Sequence, residues 1–135
     1  MPKIARYFLK AGLLYFLAAM GVLAWMSWPE SSSPPGMRPV FYHLLMVGWI
    51  SQAIFGVSLW MFPRYAKERP RGYDSLSWFA FWTINTGLLL RFFFEPYVNQ
   101  QNAFLAGPVL LLSAVLQWLG ALGYTLNIWH RVREK

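Results

Sequence analysis

FYHLLMVGWISQAIFGVSLWMFPR, residues 41–64, is apolar almost throughout, and His43 is its one His, Lys, Arg, Asp or Glu before the final arginine. About 20 apolar residues, each rising 1.5 Å, cross the hydrocarbon of a bilayer. The stretch therefore reads as a transmembrane helix with a histidine near its start. Three further runs of the same kind flank it, so the predicted spans are 8–28, 40–62, 76–94 and 103–129. Each connection carries helix breakers: PESSSPPGMRP at 29–39, PRYAKERPRGYD at 63–74 and EPYVNQQN at 95–102. The fold class expected is all-α, an integral membrane four-helix bundle forming a single domain over residues 1–135.

Composition agrees with this reading. Of the 135 residues, 57% are hydrophobic and 13% charged, a balance unusual for a water-soluble domain. The net charge of +7 is spread over short clusters between apolar runs, without the polar recognition surface that nucleic acid requires. The run from Tyr7 to Trp28 is longer than a signal-peptide core and precedes no clear cleavage site, so it reads as a permanent helix. Cysteine is absent, which excludes disulfides, thiolate metal sites and covalently attached haem.

The basic residues set an orientation. Lys3, Arg6 and Lys10 precede the first span; Arg64, Lys67, Arg69 and Arg71 follow the second; Arg131, Arg133 and Lys135 close the chain. The first connection has only Arg38, and the third has no Lys or Arg. Both termini are expected to be cytoplasmic, in the inner membrane of a bacterium or archaeon.

With that topology His43, Arg91 and Glu95 share one membrane depth at the non-cytoplasmic end, Arg91 and Glu95 being four residues apart on one helical face. Two readings of Arg91 stand open: an ion pair with Glu95 that closes the bundle, or neutralisation of an anionic group such as a haem propionate or a quinone head group. His43 is either a hydrogen-bonding cap or an axial ligand of b-type haem. The second histidine, His130, falls near the opposite end and cannot share an iron with His43. Along the second span Gly48, Gln52 and Gly56 recur every four residues and mark a close helix–helix contact, within the chain or between chains. Trp49 and Gln52 are expected to line the interhelical surface adjacent to the His43 group, as part of the cofactor site. Hydrolytic and phosphate-binding motifs are absent.

HLLMVGWISQAIFGVSLWMFPR followed by NTGLLLRFFFEP resembles small four-helix membrane proteins related to the haem-copper oxidase catalytic subunit, subunit I. The resemblance covers roughly residues 40–96 through H-x4-G-W, F-G-V, W-M-F-P-R and N-x-G-x3-R-x3-E-P. It implies a haem ligand at His43 and a ring of helices rebuilt by three copies of the chain, or assembly within a larger respiratory complex. The chain has Phe41 where such families can carry another histidine, and it lacks the copper-binding histidines. The resemblance thus implies haem b without copper, serving electron transfer or gas sensing rather than complete oxidase chemistry. A cofactor-free accessory subunit of a respiratory complex is the alternative.

Overall fold

The computed structural model describes residues 1–63, 65, 72–98 and 104–132. Within them the chain is all-α: α1 (Lys3–Met26), α2 (Met37–Met61), α3 (Asp74–Phe94) and α4 (Ala106–Trp129), with a 3-10 turn at Glu95–Tyr97. Ala103, expected to open the fourth span, and the orienting residues Arg64, Lys67, Arg69, Arg71, Arg133 and Lys135 lie outside the described residues.

The local chemistry explains the boundaries. The Ser27 hydroxyl donates to the Leu23 carbonyl at 2.8 Å, closing α1 just before Pro29. α2 starts at Met37, earlier than expected, because Pro39 falls in its first turn, where a helix has no use for an N–H donor. Gly72, with φ of 79°, turns the chain into α3. Pro96 converts the end of α3 into the 3-10 turn.

Three helices, α1, α2 and α4, are long and apolar enough to cross a membrane. The expectation of four such spans is met only in helix number. α3 carries Thr83, Asn85, Thr86 and Arg91, which lower its hydropathy; Asn85 pairs with Gln52 of α2, and the Thr83 hydroxyl bonds back to carbonyls of its own helix. A bundle can accept a buried amide such as Asn85 because it is hydrogen-bonded across helices.

The helices form two hairpins. α1 packs along α2 through Ala5, Gly12, Gly48 and Gly56; a Cβ at Gly48 would stand 2.7 Å from the Tyr15 Cβ, and one at Gly56 2.9 Å from the Leu9 Cγ. The seam marked by Gly48 and Gly56 is therefore filled by α1 of the same chain. α3 and α4 form the second hairpin, where Gly87 and Gly120 allow the approach and the Ser113 hydroxyl donates to the Gly87 carbonyl at 2.7 Å. Ile4, Ala5, Phe8, Leu59, Ala80, Phe81 and Ile128 join the hairpins at the end holding both termini. Ala19, Val22, Met37, Val40 and Leu44 form a second apolar cluster at the opposite end.

Between these clusters α2 changes winding, and Leu44–Ser51 is π-helical. Its widened turn is visible where the Ser51 hydroxyl donates to the Met46 carbonyl, five residues back, at 2.9 Å. A π-turn advances roughly 80° per residue where an α-turn advances about 100°. His43 and Gln52, nine residues apart, would face opposite sides of a regular helix. The slower winding brings both towards α3, His43 to Glu95 and Gln52 to Asn85.

Candidate functional site

At the end away from the termini, His43 closes the first α-helical turns of α2, and Glu95 opens the turn that follows α3. Gly36 allows the two to meet. A Cβ there would strike the Glu95 carbonyl oxygen and stand 2.7 Å from the Pro96 Cα, so only glycine lets the first connection lie on the Glu95–Pro96 backbone.

Three ionisable side chains converge on this contact. The Arg91 guanidinium donates to Glu95 Oε1 at 2.6 Å, within one helical face. His43 Nδ1 lies 3.2 Å from Glu95 Oε2 and 2.9 Å from the Pro39 carbonyl oxygen. The better-directed partner is Pro39, since Glu95 Oε2 is buried without an aligned donor; its contact with the ring is electrostatic rather than a second full hydrogen bond. Glu95 is 6% exposed overall, so its charge depends on these two neighbours in place of water.

This geometry decides the histidine tautomer. Both atoms facing Nδ1 are oxygens that can only accept, so Nδ1 bears the proton and, in the neutral ring, Nε2 holds the lone pair. A metal-binding imidazole is commonly oriented in this way, by a carbonyl or carboxylate on the nitrogen that does not bind. The ring side chain is 30% exposed. Beside it the Arg91 Nε is buried without a hydrogen-bond acceptor among the described residues, a donor directed at no protein oxygen.

Comparison with protein families, curated proteins and solved structures finds no match.

The expected site is thus brought together in part. His43, Arg91 and Glu95 meet as anticipated from their common depth. Trp49 instead packs on Phe16 of α1, ring centroids 4.3 Å apart. Gln52 is fully buried and exchanges two hydrogen bonds of 3.2 Å with Asn85, whose amide also donates to the Phe81 carbonyl at 2.7 Å. These two residues belong to the helix contacts of α2 and stand apart from the His43 group. Among the described residues no cluster of three or more His, Asp or Glu is placed to hold a bare metal ion. Haem makes no such demand, because its iron takes only one or two axial ligands from protein.

Two residues acquire roles that sequence reasoning missed. Arg131, read as an orienting charge, is 2% exposed and donates to the Leu59, Phe62 and Pro63 carbonyls at 3.2, 2.9 and 3.0 Å. It caps the carboxyl end of α2, where cationic donors are favoured by the helix dipole. Asn127 does the equivalent for α3: its amide oxygen accepts from the Tyr73 N–H at 2.8 Å and its amide nitrogen donates to the Ser77 hydroxyl at 2.7 Å. An amide in the last turn of α4 and a cation just beyond it, level with the ends of two other helices, were the available signal.

Proposed function

We propose that the chain is a b-type haem protein of a bacterial or archaeal inner membrane, with both termini cytoplasmic and His43 as axial ligand. The observation that supports this most is the pair of oxygens facing His43 Nδ1, which reserves Nε2 for a ligand. The donor chemistry suits the group: a partly exposed imidazole whose Nε2 could take iron and, nearby, an arginine with an unused N–H for an anionic propionate or the head group of a quinone. Bound haem would supply one-electron transfer or a gas-binding iron. The chain's own part is to fix the ring through Pro39 and Glu95, to hold Arg91 beside it through Glu95, and to surround both with apolar helices. Because each chain offers one suitably placed histidine, the remaining axial position would stay open or be filled by a second copy in a homo-oligomer, a trimer by the resemblance noted above.

Haem titration in mild detergent tests the reading. Wild type and His130→Ala should bind haem, and His43→Ala should not. Equal binding by all three would remove His43 from the role.

A second reading, a cofactor-free subunit of a respiratory complex, is favoured by the way Arg91, Glu95 and His43 lock α2 to α3. Since α1 fills the Gly48 and Gly56 seam, such a subunit would meet its partner through another face. It predicts a colourless protein whose His43→Ala variant loses stability only.

A further inference from the structure

The first turns of α1 carry a second group of charges, unconnected with His43. Lys3, Arg6, Tyr7 and Lys10 line a groove of about 350 Å³ at the end of the bundle that holds the termini. All four side chains are exposed, and among the described residues none of the three cations forms an ion pair with a carboxylate. Lys3, Tyr7 and Lys10 follow one another at helical spacing, and Arg6 adds its fork beside them. Of its lining, Tyr7 is aromatic, and its ring packs edge-on against Trp78 of α3 at 5.3 Å and Phe81 at 6.0 Å. Just below, the exposed leucines Leu13, Leu14 and Leu17 continue along α1.

We infer that this groove binds the headgroup of an anionic phospholipid. Three observations point to a lipid rather than a soluble anion. The cations lie in the first turns of a helix long and apolar enough to cross a membrane, which on the membrane reading would bring them level with the phosphate groups. Tyr7 and Trp78 are the amphipathic rings that occupy that layer. The leucines give an acyl chain an apolar path continuous with the groove. Arginine and lysine together suit a phosphodiester: the arginine fork binds two oxygens, and the lysines add point charge. Three cations with no acid beside them among the described residues favour a headgroup carrying more than one negative charge, such as a diphosphatidyl lipid. This inference rests on the membrane reading alone and is independent of haem.

The test compares lipids on the detergent-purified full chain by native mass spectrometry and thermal unfolding. Diphosphatidylglycerol, phosphatidylglycerol, phosphatidylcholine and inorganic phosphate serve as probes. Each cation near an anionic headgroup strengthens binding severalfold, so the diphosphatidyl lipid should be preferred over phosphatidylcholine by at least ~10-fold. Lys3→Gln/Arg6→Gln/Lys10→Gln should abolish the preference, and the milder Lys10→Gln should reduce it. Lys3→Arg/Lys10→Arg should keep it, as should Arg38→Gln at the opposite end; these two variants separate loss of the groove from loss of the fold. Equal binding of phosphatidylcholine, an undiminished preference in the triple variant, or the same stabilisation by inorganic phosphate would overturn the assignment.

Discussion

His43 and Glu95 face each other across α2 and the turn after α3, Nδ1 to Oε2 at 3.2 Å, while Arg91 holds the other carboxylate oxygen at 2.6 Å. One carboxylate thereby organises two side chains from two helices. Its removal has separable consequences for stability and for the histidine.

Glu95→Gln should destabilise the protein by about 1–3 kcal/mol, because it leaves the Arg91 charge, with a side chain 17% exposed, without its anionic partner. Arg91→Met should also destabilise. The double variant should lose clearly less than the sum, since neither buried charge remains to be compensated. Unfolding in detergent across this cycle measures the coupling.

Glycine substitutions should separate by position. Gly36→Ala places a methyl group into the Glu95 carbonyl oxygen, so backbone must move and the His43–Glu95 contact must open. Gly21→Ala meets nothing within 4 Å and should be neutral or slightly stabilising, by up to about 1 kcal/mol. Thermal midpoints of the two variants, taken in the same detergent, provide the comparison.

Arg131→Met should cost about 2 kcal/mol, since it strips one charged donor from three carbonyls at once, the buried Leu59 and the part-buried Phe62 and Pro63. Arg131→Lys should recover only part of this, because an ammonium cannot span the carbonyls as the planar fork does. Hydrogen exchange should show the last turn of α2 opening first in both variants.

Much of this was legible in the sequence, for identifiable reasons. Runs of about 20 apolar residues separated by proline and glycine leave little choice but a helical bundle. Equal span lengths put His43 level with Arg91 and Glu95, and the i, i+4 spacing paired the latter two. The π-helical turn at Leu44–Ser51 was not legible, because LLMVGWIS is apolar on every side and carries no periodicity that a change of winding could disturb. The helix contact at Gln52 was legible from its place between Gly48 and Gly56, but its partner was not: the phase of Gln52 relative to His43 depends on the π-turn, which turns it to Asn85 of α3. Arg131 reads from sequence as an orienting charge, because nothing local shows that the end of α2, 68 residues earlier, lacks donors.

The most direct test of the central claim is the reduced-minus-oxidised visible spectrum of the protein purified from membranes, recorded for wild type and His43→Ala with haem per chain determined. The account predicts Soret and α-band changes in wild type that vanish in His43→Ala while the helical circular dichroism persists. A colourless wild type, or an unchanged spectrum in the variant, would contradict it.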